Sequence, residues 1–140
     1  MIVLDSSAAV DYLVGYEPQA TWVAEQILAD SDLHAPHVFD LEVIGAIRRA
    51  ALKGDLSRAR ARQIVSDLID LDIARYPHLP FIENIWAVRE HLTASDAAFV
   101  TLAEALGATL VTTDRGQAAA PGITARVESF PRPTLPRRLR

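Results

Sequence analysis

Short apolar runs that end on acidic residues and alternate with helical stretches constrain this chain more than any other feature. Ile2-Val3-Leu4 leads directly into Asp5, and Leu110-Val111-Thr112-Thr113 into Asp114. Runs this short, with no polar alternation, read as strands buried between other layers. Leu33-His34-Ala35, stopped by Pro36, is a further candidate strand. Ile73-Ala74-Arg75-Tyr76, closed by Pro77, is a weaker one, and Ala125-Arg126-Val127-Glu128 a possible last one. The stretches between have helical spacing. Ser6-Ser7 can cap a helix over Ala8–Leu13, and Trp22, Val23, Ile27 and Leu28 share an apolar face. Leu41, Ile44, Ile47 and Leu52 do the same in a third helix that ends at Gly54. Ser57 can cap a fourth, with Ile64, Val65, Leu68 and Ile69 facing inward. Pro80 opens a fifth, carrying Ile82, Ile85, Trp86 and Val88. Thr93 can cap a sixth that reaches Leu106, with Gly107 beyond it. Strands alternating with helices predict an α/β domain with a short, mostly parallel central sheet flanked by helices.

At 140 residues, half of them apolar, the chain has enough material for one core and little for a second. The domain is expected over residues 1–130. A Pro/Arg-rich tail, 131–140, is expected to be extended and mobile. With no cysteine, a disulfide framework, a thiolate zinc site and a thiol nucleophile are all excluded. The N-terminus has no basic segment and meets Asp5 at once, unlike a signal peptide, and no apolar stretch reaches membrane-spanning length. A soluble, cytoplasmic protein with no membrane partner is expected.

Charge is segregated. Residues 1–47 hold eight acids and neither lysine nor arginine, whereas 48–62 carry Arg48, Arg49, Lys53, Arg58, Arg60 and Arg62 against Asp55 alone. Arginine forks suit phosphate recognition, so Arg48, Arg49, Arg58, Arg60 and Arg62 are candidates for contact with a nucleic-acid backbone. An acidic partner or plain solvation accounts for them equally well.

Four acids stand out by position. In an open parallel sheet, ligands bind where the strands' carboxyl ends meet, and Asp5 and Asp114 both lie at such ends. Each also has a local reading, Asp5 as a helix cap and Asp114 as a turn residue. Asp96, three residues after Thr93, suits a capping box. Glu42 lies one turn into the third helix, on a side shared with Val38, Phe39, Gly45, Ala46 and Arg49, where it either pairs with Arg49 or faces a polar cavity. Converging carboxylates repel one another unless a cation joins them, and magnesium or manganese favours such hard oxygen donors. The four lie 37, 54 and 18 residues apart, so only the fold can bring them together.

Residues 2–10, Glu42, the run Leu92-Thr93-Ala94-Ser95-Asp96-Ala97-Ala98-Phe99-Val100 and the run from Ala105 to Asp114 together resemble the PIN-domain family. Within it they are most similar to the VapC toxins of bacterial toxin–antitoxin pairs. The resemblance runs from residue 2 to about 128 and implies a PIN-like nuclease domain. It also implies that Asp5, Glu42, Asp96 and Asp114 bind Mg2+, with Mn2+ as substitute, and hydrolyse RNA phosphodiesters in tRNA or other structured RNA. Asp5 and Asp96 would hold the metal directly, with Glu42 and Asp114 completing the shell. Ser6 and Thr112 would supply hydrogen bonds. A VapB-like antitoxin and a homodimer follow from the same resemblance. Ser95 departs from it, standing where an aromatic residue is common.

The competing reading is a catalytically silent domain of the same fold that binds RNA or protein. A phosphotransfer domain is excluded, because the chain lacks both the paired acids and the late lysine of a receiver and has Ser7 where a dehalogenase-type phosphatase needs an acid. His34, His37, His78 and His91 form no metal pattern, and His34 and His37 are expected at the surface. Trp22 and Trp86 are expected in the core, and Arg89 either beside the acidic pocket or paired with Glu90.

Overall fold

A computed structural model describes residues 1–114, 116 and 120–131. Five strands form one sheet in the order β3-β2-β1-β4-β5, every neighbouring pair parallel: β1 Ile2–Leu4, β2 Leu33–Pro36, β3 Ala74–Tyr76, β4 Thr109–Thr112 and β5 Val127–Ser129. The mostly parallel sheet expected from the sequence is wholly parallel among the described residues. The helices are α1 Ser6–Val14, α2 Gln19–Ala29, α3 Val38–Lys53, α4 Arg58–Asp70, α5 Ile82–Ala87 and α6 Ala94–Leu106, with a 3-10 turn over Leu79–Phe81 before α5.

β1 is the hub. Val3 pairs with His34 on one side and Leu110 on the other, and Val3 and Leu4 are wholly buried. The chain winds outward from β1 through β2 to β3, then returns to the far side of β1 for β4 and β5. The order therefore reverses between β1 and β4, and a crevice opens there at the strands' carboxyl ends. α6 lies against β1, β2 and β4, and its continuous run Ala97–Ala103 is buried throughout. A helix apolar on all sides belongs to the interior of a layered domain. α1 packs on α2 and α3, and α3 on α4.

Several sequence expectations need correction. Ser6 and Ser7 do not precede α1 but form its first turn; Asp5 occupies the cap position without a capping bond from its side chain. β2 runs through Pro36, which tolerates the strand because Pro fixes an extended-compatible φ. α3 buries Phe39, Val43 and Ile47, while Leu41 and Leu52 are 74% and 71% exposed. The spacing of the buried stripe, four residues apart, selects one face, and Leu41 lies two positions off it. Leu28 and Ile69 are also exposed. His34 is buried, its Nδ1 2.7 Å from the Tyr76 hydroxyl and its Nε2 2.9 Å from Asp32, so a histidine expected at the surface is a satisfied core group. Trp22 is half-buried edge-on to Phe130, but Trp86 is 66% exposed. α5 has fewer than two turns and cannot bury a second face. The domain boundary at residue 130 and the tail beyond it fall almost wholly outside the described residues.

Candidate active site

The crevice at the carboxyl ends of β1 and β4 is built by the two strands that the sequence marks most clearly. Asp5 follows β1 directly and is almost completely buried. Its Oδ2 accepts the Ser7 hydroxyl at 2.6 Å and the Thr112 hydroxyl at 2.8 Å. Thr112, the last residue of β4, has no exposed surface. Its Oγ1 also accepts the Asp114 backbone N–H at 2.9 Å and lies 3.3 Å from the Ser7 hydroxyl. One threonine thus ties the ends of both strands to the same carboxylate.

Glu42 comes from α3 and Asp96 from the first turn of α6. The carboxylates of the four acids influence one another. Burial is the main cause that pushes Asp5 above the ordinary carboxylate range, and the charge of Asp96 adds to it, against the hydroxyls of Ser7 and Thr112. Glu42 is pushed up first by burial, then by the charges of Asp5 and Asp96, with the Ser6 hydroxyl acting the other way. Asp96 is raised by burial and by the charge of Asp114, while Thr93 lowers it. The four acids are linked electrostatically in pairs: Glu42 feels Asp5 and Asp96, Asp5 feels Asp96, and Asp96 feels Asp114.

The local readings hold beside this convergence. The Asp96 N–H donates to the Thr93 hydroxyl at 3.2 Å, so the cap is real. Asp114 accepts the Gly116 N–H at 2.9 Å, as a turn residue does. Cap and turn hold these two backbones in place. Glu42 is different: its Oε1 is buried with no hydrogen-bond partner among the described residues. A buried carboxylate oxygen left this way costs about 1–3 kcal/mol or more. Among the described residues Glu42 makes no ion pair with Arg49, whose guanidinium lies beside Gly45.

Hard oxygen donors, an orphaned buried oxygen and carboxyl groups whose charged forms are disfavoured by burial and by one another fit a divalent cation. Among the described residues no three His, Cys, Asp or Glu side chains stand close enough to hold one ion together. A small divalent ion that keeps most of its waters needs only one or two carboxylates directly.

Two features near the site escaped the sequence reading. Ser7, rather than Ser6, is the serine on Asp5, because the first turn of α1 directs residue 7 back toward β4. Ser6 faces Glu42. Asp11, a turn further along α1, is also raised by burial and bonded by the Thr113 side chain. Arg89 does not pair with Glu90: its guanidinium stacks over the Trp86 ring at 4.5 Å and donates to the Trp86 carbonyl. Of the arginines, Arg60 donates to the carbonyls of Leu13 and Val14 at the end of α1, both at 3.1 Å. Arg48, Arg49, Arg58 and Arg62 are exposed.

A family model described as PIN domain matches residues 2–123. Ribonuclease VapC1 of Mycobacterium tuberculosis is 41% identical over 127 residues, covering 90% of this chain and 95% of its own length. Ribonuclease VapC12 of the same organism is 38% identical over 128 residues, covering 91% and 98%. Among solved structures, PAE2754 from Pyrobaculum aerophilum superposes with a TM-score of 0.67 at 24% identity, covering 90% of this chain and 81% of that one. VapBC2 from Rickettsia felis, bound to a DNA fragment from its promoter, gives 0.67 at 13% identity, covering 94% and 100%. At these identities the two structures bear on the fold alone.

Proposed function

The chain belongs to the PIN domain family, and on that premise we propose that it is the toxin of a type II toxin–antitoxin pair, an endoribonuclease that hydrolyses RNA phosphodiester bonds with Mg2+, or Mn2+ in its place. The observation that carries this reading is Glu42: it has a carboxylate oxygen buried without a partner and feels the charges of Asp5 and Asp96, and burial disfavours the charged form of all three. Carboxylates gathered for a merely structural purpose would be paired with arginine or amide donors.

Asp5 and Asp96 are the direct ligands in this scheme. Glu42 and Asp114 would complete the shell, through water or by holding a second ion. A divalent ion held there supplies the Lewis acid that activates the attacking water and offsets charge building on the phosphate. The protein's own part is orientation. Thr112 and Ser7 fix Asp5 by donating to the same carboxylate oxygen, Oδ2. Ser6 and Thr93 steady Glu42 and Asp96. Arg48, Arg49, Arg58 and Arg62 form a positive flank that draws in the polyanionic substrate, tRNA or another structured RNA. Arg60 already satisfies the end of α1 and contributes its charge there.

A VapB-like antitoxin and a second copy of the chain are the expected protein partners. The exposed Leu41, Ile44, Leu52 and Ile69 supply apolar surface of the kind that protein contacts cover. Among the described residues no helix is long and apolar enough to cross a membrane, and the cytoplasm is the proposed compartment.

The test is cleavage of total cellular RNA by the purified chain. Mg2+ or Mn2+ should support it, EDTA should stop it, and Asp5→Asn and Asp96→Asn should abolish it with the fold intact by circular dichroism. Full cleavage by the EDTA-treated protein overturns the proposal, and intact RNA with metal bound to the wild type favours a silent binding domain.

A further inference from the structure

A pocket of about 200 Å³ opens beside the acids, between the start of α3, the short helix α5 and the first turns of α6. Val38, Ile82, Ile85 and Ala98 make its walls, and Ser95 and His78 are its polar groups. We propose that this pocket holds one unpaired nucleobase of the RNA, from a nucleotide adjoining the phosphodiester that is cut, with Trp86 and Arg89 as a stacking surface next to it. The inference rests on the ribonuclease reading and adds a base-recognition subsite to it.

Position is the first argument. Ser95 adjoins Asp96 in α6, and Val38 precedes Glu42 by one turn of α3, so the pocket touches the acid cluster from two elements. A group seated there lies within about one nucleotide of Glu42 and Asp96, since one helical turn rises only about 5.4 Å. Chemistry is the second. No lysine or arginine lines the pocket, so a phosphate or an acidic peptide side chain finds no guanidinium or ammonium there to pair with. A flat heterocycle suits apolar walls with a hydroxyl and an imidazole for its edge. The third argument is Trp86. It lies four residues after Ile82 on α5, hence beside it on the same helix face. Its indole is 66% exposed and carries the Arg89 guanidinium at 4.5 Å. Unpaired RNA bases are bound on aromatic rings and guanidinium planes of this kind. The pocket exists because Ala94, Ser95 and Ala98 are small; a larger side chain at 95 would fill it.

The experiment begins by mapping the ends that the wild type makes in total cellular RNA with Mg2+. Synthetic stem-loops bearing the mapped site then carry an abasic nucleotide at each position around the cut. With the wild type, one abasic position adjoining the cut should raise KM on the order of tenfold, the loss expected for one stacked base. Ser95→Leu, which fills the pocket, should raise KM for the intact stem-loop by a similar factor and be indifferent to that abasic position. Trp86→Ala, at an exposed indole, should raise KM without altering the fold. Both variants should keep the Mg2+-dependent rise in melting temperature, which separates base binding from metal binding. The base subsite is overturned if the abasic series is flat for a wild type that cuts, or if the abasic penalty is equal in Ser95→Leu and wild type. A change of oligomeric state in Ser95→Leu with KM unchanged also overturns it, assigning the pocket to contact between copies. A wild type that cuts no RNA overturns the ribonuclease reading and this inference together.

Discussion

Replacing Thr112 by valine tests whether the strand-end hydroxyl holds the site together. Valine matches threonine in shape, so at a wholly buried position the substitution opens no cavity. It removes the 2.8 Å bond to Asp5 Oδ2 and takes the acceptor from the Asp114 N–H. A hydrogen bond to a charged group contributes about 1.5–3 kcal/mol, and a backbone N–H left unsatisfied costs about 1 kcal/mol more. Asp5 keeps the Ser7 hydroxyl, so the total should be about 2–4 kcal/mol. For a domain of this size each kcal/mol moves the melting temperature by about 3 °C, giving a fall of about 6–12 °C. The pH dependence has a definite sign. Burial raises Asp5 and the Thr112 hydroxyl lowers it, so the bond favours the carboxylate form. Without that bond Asp5 is raised further in the folded state, and the variant loses more stability as pH rises through that range. Its deficit should be full at neutral pH and shrink on acidification, beginning above the ordinary carboxylate range. Thermal melts in EDTA from pH 4 to 8 read this directly. A variant that melts within about 1 °C of wild type at neutral pH, or whose deficit grows in acid, would refute the reasoning.

Other outcomes follow from the same geometry. Glu42→Gln should stabilise the metal-free protein at neutral pH, because a group raised in the folded state costs stability as pH climbs through its folded value. That gain should vanish in acid, and cleavage should fall on the order of 10–100-fold; a loss of stability at neutral pH counts against an unpaired carboxylate. Mg2+ at about a hundred times its dissociation constant should add about 2.7 kcal/mol, or about 8 °C, reversed by EDTA and absent in Asp96→Asn. Arg60→Ala should lower stability by about 1 kcal/mol through the loss of its bonds to the end of α1, with the RNA cleavage rate unchanged. A cleavage defect without a stability defect would place Arg60 on the substrate instead.

Much of the frame was legible from local pattern. β1 and β4 are short apolar runs with an acid just after them, and α6 announces itself by the Thr93 cap, an apolar interior and Gly107 at its end. What local pattern misjudged is which face each helix buries. Leu41 and Leu52 occupy helical spacing as well as Phe39, Val43 and Ile47 do, and only the neighbours α1 and α4 choose between the two stripes. Trp86 failed for a related reason: its helix is too short to be enclosed, so an aromatic residue at apolar spacing stays in solvent. His34 failed in the opposite sense, because its partners Tyr76 and Asp32 are supplied by the next strand and the preceding turn.

The sequence alone determined the alternation of strand and helix, the absence of cysteine chemistry and the placing of acids at strand ends and helix starts. These depend on residues a few positions apart, whose spacing sets which groups share a face or an end. The electrostatic linkage of Asp5, Glu42, Asp96 and Asp114 belongs to the tertiary structure. Asp5 and Asp114 follow β1 and β4, which are neighbours in the sheet though far apart in sequence, and α6, which carries Asp96, packs against both strands. The repulsion among those charges is a property of distances across the fold, to which spacing along the chain carries no guide.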